Sequence, residues 1–449
     1  MLNYIWLGLV LLAVIIGGCT DHLKEVADQS FEMAEYAVMK VSLPLVGIMA
    51  LWLGIMRLAE RAGLVALLAR LLRPLMCWLF PDVPHDHPAM GAMLLNMAAS
   101  MLGLNNAATP LGLRAMEHLE TLNPRPGTAT DAMCTYLAIN TASIQLIPAT
   151  AIAILAANHS SNSTAIVGTS IMATTCGAIA AVTAAKTLQR LPMFRLQPIT
   201  NGTTRPESAA APAAGQPAAA KTIVKEAATI QPLTAWGQVA LVAFALVFLY
   251  AFVRLAMPQW VGGPAVADGR SLFVRLVDAV SRLSVPFLLS AFPLYAALRR
   301  VKVYEEFVDG AKEGFDVGVR IIPYLVAILV AIGMFRAAGG INLLSRALQP
   351  VMVAVRFPPE LLPLVFMRPL SGSGTLGLFA ELVKQYGPDS LVARMGGTIF
   401  GSTETTFYVV AVYFGSVAVR KTRHAVLAGL TADFVAVVAS VIICRLMFG

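Results

Sequence analysis

Two apolar runs, about 280 residues apart, carry the same punctuation. From Pro44 to Arg57 the chain is apolar except at its end, with Pro44, Gly54 and Arg57 as markers. From Pro323 to Arg336 the same residue types recur at the same offsets, as Pro323, Gly333 and Arg336. The match resumes after a small shift. Gly63, Leu67, Leu68, Arg70, Pro74 and Met76 stand opposite Gly339, Leu343, Leu344, Arg346, Pro350 and Met352, and Phe80-Pro81 opposite Phe357-Pro358. One hydrophobic unit is therefore written twice, and duplicated membrane halves commonly build transporters around a site at the repeat interface.

The same pattern predicts the elements of each unit. A first apolar helix covers Tyr4 to Cys19, and residues 22–40 mix charge with apolar positions as an interfacial amphipathic helix does. The apolar run 42–56 follows, then an arginine-flanked amphipathic stretch to Phe80 and a turn at Pro81, Pro84 and Pro88. Two helical pieces, 89–102 and 108–120, are too short to span and predict a re-entrant hairpin. Spans at 130–156 and 164–186 complete the unit. In the second unit the spans are 276–298 and 321–335, the hairpin 359–386, and the last spans 390–416 and 424–447. Between the units lie an Ala/Pro/Gly/Thr-rich linker and a charge-poor helix at 235–256 that has no counterpart. The expected division is a first repeat at 1–190, a flexible cytoplasmic linker at 191–233, an extra transmembrane helix at 234–257 and a second repeat at 258–449.

Composition agrees with this pattern. Hydrophobic residues make up 57% of the chain, charged ones 13%, and mean hydropathy is +0.73, whereas soluble domains carry about 25% charge. The fold class is an all-α polytopic membrane protein. The net charge of +8 comes from Lys and Arg clustered in loops, which is a topology signal and not a nucleic-acid surface. Lys186, Arg190, Arg195, Arg205, Lys221 and Lys225 place the linker in the cytoplasm, as do Arg299, Arg300 and Lys302 for a second loop and Arg420, Lys421 and Arg423 for a third. The loop Asn158 to Ser163 has neither Lys nor Arg and is assigned outside. Threading these constraints gives about nine spans, an internal N-terminus and an external C-terminus. The unpaired helix then makes the two repeats antiparallel, although Arg346 and Arg356 fall on the external side. Cys19, Cys77, Cys134, Cys176 and Cys444 are scattered and read as small hydrophobes. Gly17-Gly18-Cys19 resembles a lipoprotein cleavage box, but no basic segment precedes it.

Candidate chemistry gathers where the apolar pattern is interrupted. The tip of the second hairpin reads Arg368-Pro369-Leu370-Ser371-Gly372-Ser373-Gly374, and the first has Asn105 and Asn106 in the equivalent place. Gly and Pro free backbone groups there, and the restarting helix points its N-terminal amides at the gap. A tight turn packed on protein is the alternative. Glu404, within Gly401-Ser402-Thr403-Glu404-Thr405-Thr406, is a carboxylate in an apolar span, which is costly unless paired, hydrated or protonated. The first unit has Asn140-Thr141-Ala142-Ser143-Ile144-Gln145, with Ala142 set opposite Glu404. Glu404 is read either as a coupling or substrate-contacting group or as an ion-pair partner of Arg368. Asp433, alone in the last span, is offered Arg445 or a headgroup by its surroundings. His85 and His87, bounded by Pro84 and Pro88, read as a solvated turn. No Walker loop, GxSxG, HExxH or paired-cysteine motif occurs, so no enzyme, cofactor or metal is implied.

These motifs carry a resemblance. Asn96 to Pro110 closely resembles the spore maturation protein A family. Met367 to Gly374, Tyr386 to Ser390 and Gly401 to Tyr408 resemble the spore maturation protein B family. Nearly the whole chain is covered, as if the two were fused through the linker and extra helix. Each half is similar to the nucleoside-recognition gate domain, also found in concentrative nucleoside transporters and the ferrous-iron transporter. The resemblance implies transport across a bacterial inner membrane without naming the solute. The expected protein is a secondary transporter for a small polar or anionic solute, coupled to H+ or Na+. Asn105, Asn106, Ser371, Gly372, Ser373 and Gly374 would line its site, flanked by Asn140, Gln145, Ser402, Thr403 and Glu404. A membrane scaffold using the gate fold is the alternative, and homo-oligomerisation is left open.

Overall fold

A computed structural model describes residues 2–103, 105–195, 233–261, 271–340, 343 and 357–449; at 2–5, 105–107, 317, 318, 320 and 321 it describes the backbone alone. The expected linker, Arg346 and Arg356 fall mostly or wholly outside these residues. The described residues are helical, with a single isolated bridge between Thr128 and Lys421.

The first unit contains α1 (Leu2–Cys19), α2 (Leu23–Glu35), α3 (Leu43–Arg61), α4 (Leu64–Leu79), α5 (Pro88–Met101), α6 (Asn105–Thr121), α7 (Asp131–Ala142), α8 (Ala149–Ala157) and α9 (Ile166–Leu188). The unmatched helix is α10 (Ala235–Ala256). The second unit contains α11 (Leu272–Leu298), α12 (Val303–Ala337), α13 (Leu362–Met367), α14 (Gly372–Tyr386), α15 (Leu391–Ser402), α16 (Thr406–Ser416) and α17 (Ala425–Phe448). Thr130, Thr234, Ser271, Ser371 and Ser390 cap their helices by accepting a backbone N–H from within the first turn.

Two expectations are corrected. Residues 22–40 and 42–56 are not separate elements. They form one continuous helix from Leu23 to Arg61, in which a π-helical stretch, Tyr36–Ser42, joins α2 to α3 without a break. Nor are the spans 130–156 and 390–416 continuous. Each is broken, between α7 and α8 and between α15 and α16.

Leu23–Arg61, α9, α10 and α17 are each long and apolar enough to cross a membrane, and Trp6–Cys19 and Ile322–Ala337 are shorter apolar helices. Helix α10 turns Trp236, Val242, Leu246 and Val247 outward, as a lipid-facing helix does.

Equivalent helices of the two units pack antiparallel. Gly54 of α3 lies on Phe307 of α12, Ala50 on Gly314, and Met33 of α2 on Gly333. Gly310 and Gly314 form a small-xxx-small face that brings the two backbones together. In the same way Gly177 of α9 meets Ala436 of α17, while Ala181 and Ala185 cluster with Ala428 and Ala432. The units also interlock. The core around the first hairpin takes Val409, Tyr413 and Phe414 from α16, and the core around the second takes Ile152, Ile154 and Leu155 from α8.

Candidate functional site

The two helix breaks meet. Helix α7 ends at Ser143, whose φ of 41° is left-handed, and Pro148 delays the restart. The carbonyls of Ala142 and Ser143, freed by the break, both accept from the Thr174 hydroxyl at 2.9 Å. The second break contains no proline. Its residues Thr403, Glu404 and Thr405 are extended or irregular, and the Ser402 hydroxyl competes for the helix by donating to the Ile399 carbonyl at 3.2 Å. The Glu404 backbone N–H then crosses to the other unit and donates to the Thr141 carbonyl at 2.8 Å. That bond joins the breaks.

Each hairpin tip is tied to the break in its own unit. Leu146 N–H donates to the Met101 carbonyl, and Phe407 N–H to the Pro369 carbonyl, both at 3.0 Å. Arg368, 4% exposed, reinforces the second tie. Its guanidinium donates to Thr403 Oγ1 at 3.1 Å and to the Phe400 carbonyl at 3.0 Å, and lies over the Phe400 ring. It forms no ion pair with Glu404 among the described residues. Glu404 is half-buried, and its carboxylate accepts from the neighbouring Thr405 N–H at 3.3 Å.

The other expected residues divide between structure and access. Ser371 is buried and caps α14, accepting from Gly374 N–H at 3.0 Å, while Gly372 and Ser373 are partly open. Ser402 is buried against Ser440, with the hydroxyls 3.3 Å apart. Gln145 is half-buried in the first break. Asn140 is buried and belongs to a network. It donates to the Tyr136 carbonyl at 2.9 Å and accepts from the Tyr413 hydroxyl at 3.5 Å. The side chains of Asn105 and Asn106 lie outside the described residues. His87 is not part of a solvated turn alone, because its Nδ1 accepts from Ala89 N–H and caps α5. Among the described residues no group of three His, Cys, Asp or Glu side chains could hold a metal.

Several residues here were not expected. Asn96 of the first hairpin accepts from Tyr136 at 2.6 Å and donates to the Ala108 carbonyl at 2.8 Å, and Tyr136 stacks on Tyr413. Asp433 does not face Arg445 or a headgroup; it accepts the hydroxyl of Thr406, the first residue of α16. Counting from the helix starts, Asp433 is the ninth residue of α17, as Thr174 is of α9. Equivalent positions therefore brace the two breaks. The same count shifts the repeat register. α7 and α15 are each 12 residues long, so Glu404 stands opposite Ile144, not Ala142.

Fold and junction together define a polytopic all-α membrane protein built from two interlocked units with paired helix breaks. The chain belongs to the family of nucleoside-recognition Gate domains, whose model matches residues 42–190 and 318–420, more than half of its length. It is 42% identical over 176 residues to spore maturation protein B of Bacillus subtilis (strain 168), covering 39% of this chain and 99% of that protein. It is 43% identical over 182 residues to spore maturation protein A of the same organism, covering 40% of this chain and 92% of that protein. No solved structure matches.

Proposed function

We propose that the protein is a secondary transporter of the bacterial inner membrane, moving a small polar or anionic solute through the junction of its two helix breaks. One observation carries this reading. Both breaks and the second hairpin tip converge on a junction where buried polar atoms, Ser170 Oγ and Asp433 Oδ1, have no protein partner. Buried polar groups without a protein partner call for an explanation, which a bound polar solute at this junction would supply, and unwound backbone at membrane depth is tolerated where it lines a cavity or is buried in protein. Gln145, Gly372, Ser373 and Glu404 offer the open polar surface, and Asn105 and Asn106 are assigned to the site from the sequence alone. Asn140, Ser371, Gly374, Ser402, Thr403 and Arg368 hold the walls. A proton or Na+ would supply the driving gradient, and no catalytic group is assigned.

The repeats are inverted about an axis in the membrane plane, with nine spans, an internal N-terminus and an external C-terminus. Loop contacts support this arrangement. Asp389, placed outside, accepts from Ser160 and Ser161 of the external loop at 2.7 and 2.9 Å. Arg423, placed inside, donates to Ala129 and Asp131 at 3.1 and 2.7 Å. Arg57 and Arg61 reach Glu306 at 2.9 and 3.0 Å, again joining segments assigned to the cytoplasmic side. Uptake of labelled nucleosides, dicarboxylates, peptides and metal ions into proteoliposomes tests the function. One class entering faster than into protein-free vesicles is the expected result. Correctly folded protein that moves none of them would favour a scaffold.

A further inference from the structure

The junction contains one acidic group to which neither the open surface nor the walls of the proposed solute site assign a role. Asp433 is 6% exposed and lies in the middle of an apolar helix. One of its oxygens accepts the Thr406 hydroxyl, and the other, Oδ1, has no partner. An ionised carboxylate with an open oxygen is poorly sustained in such a place. The charged groups acting on it are Arg368, from the second hairpin tip, and Glu404, from the second break. Neither forms an ion pair with it among the described residues. The neighbouring helices present uncharged groups: Gly177 and Ala181 from α9, Ala138 and Thr141 from α7, and Ser402 from α15. Glu404 differs in being half open.

We propose that Asp433 is the proton-binding carboxyl of this protein. A proton delivered by water forms an O–H bond at Oδ1, and release returns it to water. The ionised form holds the Thr406 hydroxyl as an acceptor with full negative charge; the neutral form holds it weakly and has a proton of its own to donate. Thr406 begins α16 directly after Glu404 and Thr405, so the protonation state of Asp433 acts on the geometry of the break. The inference deepens the transport reading by placing its coupling proton, and it rests on that reading.

The test is infrared spectroscopy of the full-length protein in lipid nanodiscs, without solute, titrated from mild acid to mild alkali. The protein is compared with and without carboxyl-13C aspartate. The expected result is a protonated-carboxyl C=O band that moves on aspartate labelling and fades as pH rises. It is lost in Asp433→Asn and kept in Glu404→Gln. Thr406→Val retains the carboxyl and should shift the band by removing its hydrogen bond, which guards against misfolding of the asparagine variant. The inference is overturned if no aspartate-sensitive band appears, if the band survives in Asp433→Asn, or if Glu404→Gln abolishes it. Proteoliposome uptake separates the two readings. A titrating Asp433 in a protein that moves no solute leaves the proton site and removes the transporter. Proton-driven uptake without the band does the reverse.

Discussion

Replacing Gly314 by alanine probes the interface between the repeats at its closest point. A methyl group there would lie 2.6 Å from Ala50 Cα, 2.7 Å from the Met49 carbonyl oxygen and 2.8 Å from Ala50 N. All three are backbone atoms of α3, so no side chain can rotate away. Non-bonded carbons settle at about 3.5–4.0 Å, which means α3 and α12 must part by roughly 1 Å. Overpacking of this kind costs about 1–3 kcal/mol. Gly47, on the same α3, is the matched control, because a methyl there meets nothing within 4 Å. Both variants gain the same intrinsic helix preference, about 0.5–1 kcal/mol, so the difference between them isolates the packing cost. Equilibrium unfolding in mixed micelles should show Gly314→Ala less stable than Gly47→Ala by about 1–3 kcal/mol. Equal stabilities would refute the close backbone packing of α3 on α12 at Gly314.

Glu404→Gln should change stability far less than the roughly 3–5 kcal/mol that breaking a buried ion pair costs, because Arg368 is held by Thr403 and Phe400 instead; the same unfolding assay checks this. His424 is fully enclosed, neither ring nitrogen has a partner, and burial, helped by Arg423, lowers its pKa to about 4. The unfolded chain then binds the proton more readily between pH 6.5 and about 4. Stability should fall as pH drops through that window, and the loss should shrink in His424→Phe. Single cysteines at Ser161 and Ser208 should react with membrane-impermeant reagents from opposite sides, and labelling from one side would exclude the inverted topology.

Part of this architecture was legible in the chain and part could not have been. The hairpins were visible because their arms are too short to span and Gly or Pro marks each tip. The duplication was visible because Pro44, Gly54 and Arg57 recur with their spacing intact. The breaks were hidden in apolar runs of spanning length. In the first, Pro148 marks the restart and not the stop at Ser143. In the second, the helix is interrupted by hydroxyl competition and by a backbone bond to Thr141, 263 residues earlier in the chain, which no local pattern encodes. Asp433 was misread for the same reason, since its partner lies one helix away at Thr406. Polar content alone also set the repeats two residues out of register, where the helix starts align them directly.

Solute-dependent stabilisation bears most directly on the claim that the joined breaks form a binding site. Native protein, Glu404→Gln and Asn140→Ala would be purified in nanodiscs and melted against nucleosides, dicarboxylates, peptides and metal ions. A ligand at 100 times its Kd stabilises by about 2.7 kcal/mol, well within detection. The account predicts that one chemical class raises the melting temperature of the native protein and that both variants, one from each unit, lose that rise. Stabilisation that survives in both variants, or no stabilisation by any class, would contradict it.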